Sequence, residues 1–295
     1  MSPTIGLPLT LPTNIVGDVN GFLRNMKNNK INSFINSKKA FMAKKKEYIK
    51  IGICIWCGKK KPSVSFNTAP HIIPKSLGGT EIGVDVCDDC NSYFGTPTKD
   101  FYSTNVVLKE LYMASSVFHI EGVAKKKRFE TAFFQFNTEK YRIKEKRHID
   151  MNKLTKSFKR ALYELFLQKY HMIFNDALTS KFHYIRQFAR YGKGNLKVYY
   201  IFNHIVLREQ EPYCVNLHFS RSALKDLFEY GFYHFWFAGH ILILEIFPFL
   251  ASSQRKKQYL QKIAKTFIIG VKGDECMFEL THISQMDPFY LRLYN

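Results

Sequence analysis

The stretch that decides the fold reads Cys54-Ile-Trp-Cys57, then His71-Ile-Ile-Pro-Lys-Ser-Leu-Gly-Gly79, then Cys87-Asp-Asp-Cys90-Asn91. Its two Cys-x-x-Cys pairs supply four thiolates, which can form a closed tetrahedral shell around one Zn²⁺. Because four sulfur ligands leave no coordination position for water, we expect this zinc to be structural. It would order short loops that cannot build a core by themselves. The sequence therefore predicts that His71 and Asn91 are held rigidly.

The composition indicates a folded and strongly basic protein. The chain has 295 residues, of which 46% are hydrophobic and 16% aromatic, so it can bury a sizeable core. Its 44 lysines and arginines against 24 acidic residues give a formal net charge of +20. This charge favours polyanionic partners, because each neutralised phosphate releases counterions. A solvated face is the alternative for any single basic run; the runs lie at 24–61, 125–128, 140–147 and 255–257.

The remaining cysteines and the apolar segments bear on the compartment. Cys214 and Cys276 stand alone and are interpreted as buried or inert thiols. Residues 1–13 lack the basic start and the cleavage site of a secretory signal. We therefore expect a cytoplasmic protein, in which paired cysteines bind metal more often than they form disulfides. The apolar run 232–250 contains His234, Gly239, His240, Glu245 and Pro248, so we interpret it as one or two buried strands joined at 238–239 and not as a membrane span.

The spacing of apolar residues predicts an α+β fold. Recurrence at three- and four-residue intervals predicts helices, and alternation predicts strands. Helices are predicted over 20–50, from Cys87, and over 106–120, 152–174 and 222–230. Strands are predicted around His71 and over 84–86, 133–137, 141–144, 198–202, 215–219, 239–247, 262–271 and 277–281.

The cysteine pairs and the residues between them resemble the HNH nucleases of the ββα-metal group. The resemblance rests on both pairs, on 71–79, on Asn91 and on the Tyr93-Phe94-Gly95 that follows. It is most similar to the branch labelled HNH endonuclease family 5, in which the last motif residue is commonly Asn. The helix from Asn152 and the segment 184–192 are also similar to the region that follows the nuclease module in that branch.

The resemblance implies an α+β chain built around a zinc-stabilised ββα-metal HNH module. We predict an N-terminal arm and a basic amphipathic helix at 1–50, the zinc-bound module at 51–105, and a larger mixed α+β C-terminal domain at 106–295. The pattern of the last part names no function for it.

The resemblance also implies an endonuclease that hydrolyses phosphodiester bonds of double-stranded DNA. His71 would act as general base on the attacking water, a role that the pKa range of histidine suits. Asn91 would offer its carbonyl oxygen to one catalytic cation, Mg²⁺ or Mn²⁺. That cation would stabilise charge on the scissile phosphate and on the leaving 3′ oxygen. The structural zinc would be held by Cys54, Cys57, Cys87 and Cys90.

The sequence departs from the family pattern in two places. Pro70 stands where many members carry Asp, Glu or His, so one metal ligand is missing or comes from elsewhere. The middle Asn of the motif is also absent, and Glu81 and Asp85 are the candidates to replace it. A catalytically inactive, zinc-stabilised nucleic-acid-binding module is therefore the alternative function.

Family analogy also suggests a biological setting. The protein would act in prokaryotic defence or in a mobile element, and its C-terminal domain would sense a protein partner, modified DNA or a small ligand. No membrane partner is expected, and a homo-oligomer is left open. Five histidines show no tight ligand spacing and are assigned no metal: His183, His204, His218, His234 and His240.

Overall fold

The computed structural model of this protein describes residues 50–116, 127–140, 142–201, 215–238, 240–267 and 277–286. All of them belong to one structural unit, 45–295. The other unit, Met1–Lys44, and the helix predicted over 20–50 lie outside the described residues. The described part holds six α-helices and two antiparallel sheets, which confirms the α+β fold. The domain boundaries at residues 50 and 105 stay a prediction.

The cysteine-rich segment begins with a tight knuckle. The Cys54 amide donates to the carbonyl oxygen of Lys59 at 2.8 Å, and the Gly58 amide donates to that of Cys54 at 2.8 Å. This turn requires a φ of +71° at Gly58, which glycine adopts without a steric penalty. A short ribbon follows, in which His71 pairs antiparallel with Ile82.

Helix α1, Asp88–Gly95, completes this segment. Cys90 and Asn91 lie in its first turn, as predicted. The ribbon that precedes α1 reverses through a short 3-10 helix, Lys75–Leu77. The antiparallel pairing precedes the helix, as in a ββα module, but it is an isolated bridge, so the strand predicted around His71 is not formed.

The strand predicted at 84–86 is wrong. Asp85 has a φ of +57°, and this left-handed conformation is incompatible with an extended strand. Its carboxylate accepts hydrogen bonds from the backbone amides of Ile51 and Gly52 at 2.8 and 2.7 Å, which offset the cost of the unusual backbone. Both flanking valines are buried, but so is Asp85, so the alternation predicted neither the secondary structure nor the burial of the middle residue.

Helix α2, Thr104–Ser116, leads into a three-stranded sheet with the order β1-β2-β3. The helix agrees with the one predicted over 106–120 as far as the chain is described. The hairpin predicted at 133–137 and 141–144 is confirmed, and a third strand that was not predicted joins it. The strands are β1, Arg128–Glu130, β2, Phe134–Asn137, and β3, Arg142–Glu145.

Helix α3, Met151–Phe174, confirms the helix predicted at 152–174 and is the longest in the described part. The side chain of Asp150 accepts from the amides of Asn152 and Lys153 and so caps the N-terminus. Asn175 ends the helix in a left-handed conformation. Residues on nearly all sides of α3 are buried, so neighbouring elements pack around it.

The C-terminal part contains a five-stranded antiparallel sheet with the order β5-β6-β7-β4-β8. Strands β6 and β7 pair as a hairpin and every residue of β7 is buried, which confirms buried strands within the run 232–250; its last five residues, 246–250, form no strand, and Phe249 is 79% exposed. Nowhere in the described ranges is a helix long and apolar enough to span a bilayer. Strand β5 is shorter than the predicted 215–219; the strands are β4, Val198–Ile201, β5, Val215–Asn216, β6, Phe232–Phe237, β7, His240–Glu245, and β8, Met277–Glu279.

Three helices complete the described part. Helix α5 confirms the helix predicted at 222–230. The strand predicted at 262–271 is wrong as far as the chain is described, because residues up to Phe267 belong to α6. Buried Tyr259 and Leu260 of α6 pack on the five-stranded sheet. The helices are α4, His183–Tyr191, α5, Arg221–Tyr230, and α6, Ser253–Phe267.

Candidate active site and metal centre

The four predicted zinc ligands converge on one point. Their sulfur atoms all lie within 4.8 Å of one another, and this is the one such cluster of His, Cys, Asp and Glu in the described residues. The Sγ atoms of Cys57 and Cys87 are 3.7 Å apart. Sulfurs around a tetrahedral zinc, with Zn–S bonds of about 2.3 Å, would be about 3.8 Å apart. Donor type, number and spacing therefore all fit zinc, with three of the four cysteines buried.

Hydrogen bonds and burial shift the pKa values of the cysteine thiols. A hydrogen bond from Cys90 lowers the pKa of the Cys54 thiol to about 5, whereas burial raises the pKa of Cys87 to about 11. The Cys87 amide donates to the Cys54 sulfur at 3.4 Å. The Arg190 guanidinium donates to the Cys90 sulfur at 3.5 Å and brings a positive charge to the cluster. Such outer contacts orient metal ligands and tune their affinity.

A buried Asp–His pair supports the backbone between the two knuckles. The Nε2 of His171 donates to the Asp85 carboxylate at 3.1 Å, and both side chains are at most 2% exposed. The Nδ1 of His171 accepts from the Ala177 amide at 3.3 Å, so the proton lies on Nε2. Burial lowers the pKa of His171, which keeps the ring neutral. The backbone carbonyl of Asp85 accepts from the Ile55 amide at 2.8 Å and so connects the pair to the first knuckle.

Asp85 and Glu81, the candidates to replace the missing middle Asn, both have protein partners. The Asp85 carboxylate faces the interior and accepts from two amides and a histidine. Glu81 forms an ion pair with Lys169 of α3. Both carboxylates connect the cysteine-rich segment to α3.

His71 is half-buried in the ribbon. His71 pairs with Ile82. On either side of this pair, the Ile72 amide donates to the carbonyl oxygen of Glu81 at 3.0 Å, and the Gly83 amide donates to the carbonyl oxygen of Pro70 at 2.7 Å. These bonds on either side fix the backbone of His71. Its Nδ1 is buried and has no hydrogen-bond partner among the described residues. A buried polar atom without a protein partner requires an explanation, such as a catalytic task.

Asn91 lies in the first turn of α1. Its side-chain amide donates through Nδ2 to the Thr68 hydroxyl at 3.2 Å, which directs the carbonyl oxygen away from Thr68. The Thr68 hydroxyl donates to Asp88 at 2.7 Å. The Asp88 carboxylate also accepts from Ser65 and from the backbone amide of Asn67, and these hydrogen bonds hold its pKa far below the usual range. The loop that leads to His71 is thus tied to the helix that carries Asn91.

A comparison with known protein families identifies the same part of the chain. Residues 54–106 match the model of the HNH endonuclease family. This confirms the resemblance and indicates a nuclease segment that acts on nucleic acid. The matched residues, which we call the HNH segment, include all four cysteines, His71 and Asn91. No curated protein and no solved structure matches the chain.

Two arginines that sequence reasoning did not identify hold the HNH segment against α3 and α4. The Arg190 guanidinium lies 3.4 Å from the centre of the Tyr93 ring, and the Arg160 guanidinium lies 3.5 Å from that of Phe101. Arg160 is 1% exposed and donates to the carbonyl oxygen of Ala189 at 2.9 Å. Arg160 lies outside the apolar stripe that predicted this helix, so no local pattern marked it as buried, and its partners come from distant parts of the chain.

Proposed function

We propose that this protein is a metal-dependent endonuclease that cuts DNA, with His71 as general base. The observation that carries the proposal is the buried Nδ1 of His71, which has no hydrogen-bond partner among the described residues and lies inside a segment that matches the HNH endonuclease family. The His71 ring is half-buried, and Nδ1 itself is buried, so binding of the phosphate would have to open this nitrogen to the attacking water before it can take the proton. The resulting hydroxide would attack phosphorus, and the bond between phosphorus and the 3′ oxygen would break.

We also propose that Asn91 binds the catalytic cation and that the four cysteines bind structural zinc. The Asn91 carbonyl oxygen is a hard ligand of the kind that Mg²⁺ and Mn²⁺ prefer. A cation bound there would stabilise negative charge on the phosphate and on the leaving oxygen. The sulfurs favour zinc instead and leave no open position on it. Pro70 contributes no side-chain ligand, so the remaining positions would be filled by water and phosphate oxygens.

The test is cleavage of supercoiled plasmid by the full chain with added Mg²⁺ or Mn²⁺. His71→Ala should lower the rate of nicking at least about 100-fold, the size expected for loss of a general base. Asn91→Ala should lower it as well and should raise the cation concentration needed for half-maximal rate. Matched controls are His148→Ala, in an exposed turn, and Asn152→Ala, exposed in the first turn of α3. Both controls should cut like the parent.

Equal cleavage by the parent and His71→Ala would exclude His71 as the base. Salt-sensitive DNA binding without nicking in any divalent cation would instead favour the second candidate, a zinc-stabilised binding module. The observation in favour of that candidate is Pro70, which stands where a metal-binding side chain is common. A role in defence or in a mobile element rests on family analogy alone.

A further inference from the structure

The ribbon that carries His71 has two faces with different surroundings. His71 and Ile82 are directly paired, so their side chains lie on one face, where Ile82 is 37% exposed. Because side chains alternate along a strand, the residues on either side of this pair lie on the opposite face. Three of these four residues are buried and the fourth is half-buried: Pro70, Ile72, Gly83 and Glu81. The face opposite His71 is therefore the covered one.

Helix α3 covers this face at two points. Lys169 forms the ion pair with Glu81. Gln168, the preceding residue of α3, is 2% exposed, and its side-chain amide lies against Gly83. A Cβ atom on residue 83 would lie 2.7 Å from the Oε1 of Gln168 and 3.6 Å from its Cδ. The shorter distance is well inside van der Waals contact, so residue 83 has no room for a side chain.

Gly83 is required by space and not by its backbone conformation. It is not among the glycines of the described residues that have a positive φ, so alanine would adopt its backbone without strain. The carbonyl oxygen of Pro70 would lie 3.4 Å from an added Cβ, which is an ordinary contact distance. The amide of Gln168 is thus the group that occupies the space. This contact limits how closely the ribbon can approach α3.

The side chain of Gln168 has a fixed conformation. Its Nε2 donates to the Oε1 of Glu164, one turn earlier on α3, at 3.0 Å. Its own Oε1 is buried and has no hydrogen-bond partner among the described residues. The amide of Gly83 is already used by the carbonyl oxygen of Pro70. The contact between Gln168 and Gly83 is therefore one of packing, and the hydrogen bond to Glu164 holds the side chain in place for it.

We propose that Gln168 is a positioning residue for the general base His71; this rests on the function proposed above. Gln168 limits the approach of Gly83, whose amide donates to Pro70 at 2.7 Å, and Pro70 directly precedes His71. The ribbon is an isolated bridge, so its own pairing fixes the backbone over a very short length. Helix α3 supplies further support from behind. Displacing a catalytic group by about 1 Å can cost about 100-fold in rate.

The test is plasmid nicking by the full chain, with the rate at saturating DNA (kcat) and the KM for DNA measured separately. Gln168→Ala removes the support, and Gly83→Ala pushes the ribbon away from α3. Each should lower kcat at least about tenfold and change KM less than about twofold, because both positions are buried and face away from the substrate. The matched control is Leu260→Ala, which removes a buried side chain of α6 from the five-stranded sheet. It should lower the unfolding temperature but keep the parental kcat.

The double variant Gly83→Ala with Gln168→Ala gives the sharpest result. Shortening residue 168 vacates the space that a Cβ on residue 83 needs, so the double variant should have a kcat within about twofold of Gln168→Ala alone. Independent effects would instead multiply to a loss of at least about 100-fold, which would overturn the proposal. A parental kcat in Gln168→Ala would overturn it too, as would an equal loss in Leu260→Ala. If Gly83→Ala alone does not fold, the double variant should fold again, and its failure to do so would count against the contact.

Amide hydrogen exchange separates this proposal from the nuclease itself, because it requires no cleavage. Gln168→Ala should speed exchange of the Ile72 and Gly83 amides at least about tenfold more than exchange of amides within α3. Leu260→Ala should leave this ratio unchanged. A parent chain that nicks no plasmid in any divalent cation would refute the nuclease, and faster exchange in the ribbon would still establish its support by α3. Unchanged exchange in Gln168→Ala would refute that support whatever the cleavage assay shows.

Discussion

Asp85 is the clearest single-residue determinant of the HNH segment. It adopts a left-handed backbone, and its carboxylate accepts hydrogen bonds from two amides and from His171. The two amides belong to residues just before the first knuckle, and Cys87 of the second knuckle lies two residues after Asp85. One buried side chain therefore connects the two halves of the metal centre.

Replacing Asp85 with Asn should destabilise the protein by about 2–4 kcal/mol, because a buried charged acceptor is lost and an NH₂ group is directed at donors. Asparagine tolerates a left-handed backbone, so the change isolates the contribution of the carboxylate. Urea denaturation followed by tryptophan fluorescence measures the effect. The control is Asp89→Asn, an exposed acid in the same segment. A loss below about 0.5 kcal/mol for Asp85→Asn would contradict the assigned role.

The sequence identifies some of these residues and not others, for a physical reason. The cysteines were predicted because metal ligation imposes short, fixed spacings that are visible in the sequence. Asp85 was considered only as a replacement for a missing motif residue, since its partner His171 is 86 residues away. A hydrogen bond over that distance leaves no local pattern.

At the scale of elements, the spacing of apolar residues predicted secondary structure correctly where one face of a segment packs against the core along its whole length. Helix α3 and the β2–β3 hairpin were predicted because their apolar residues recur regularly. The segment 262–271 was misassigned as a strand, because the start of α6 is rich in polar residues and the helical spacing of Tyr259, Leu260 and Ala264 extends back beyond the segment considered. The helical structure of α6 is therefore favoured by the packing of these buried residues on the five-stranded sheet, and not by the local sequence of 262–271.

Helix α4 should affect the affinity of the metal centre. Arg190 donates to the Cys90 sulfur and stacks on Tyr93 of α1. Arg190→Gln should raise the dissociation constant for zinc about 10- to 100-fold, as expected when an outer-shell partner of a ligand is lost. Competition with a chromophoric chelator measures it.

The control for Arg190→Gln is Lys193→Gln, which removes an exposed positive charge just after the same helix. It should bind zinc like the parent. Circular dichroism should show that both variants keep their helix content. If Arg190→Gln binds zinc as tightly as the parent, the four cysteines set the zinc affinity without help from Arg190.

At the scale of the whole molecule, the HNH segment is a local motif with distant support. Its family match ends at residue 106, but contacts run from it to α3 and α4. Besides the Asp85–His171 pair, the Tyr102 amide donates to the Ser157 hydroxyl at 3.0 Å, and Glu81 pairs with Lys169. The motif was therefore visible in the sequence and α3 was predicted as a helix, but the contacts by which α3 and α4 hold the motif in place were not.

These contacts predict that residues 51–105 do not form the zinc centre efficiently by themselves. Without α3 and α4, the fragment would expose Phe101 and Tyr93 and leave Asp85 with a vacant hydrogen-bond position, so ordering it would cost more than the metal alone recovers. With zinc added, it should give a poorly dispersed amide NMR spectrum and bind zinc at least about tenfold more weakly than the full chain. A chain of residues 45–295, which retains the contacts, should match the full chain in both measurements. A well-dispersed 51–105 fragment with full zinc affinity would instead establish a self-sufficient module and make the contacts with α3 and α4 a docking surface between two domains.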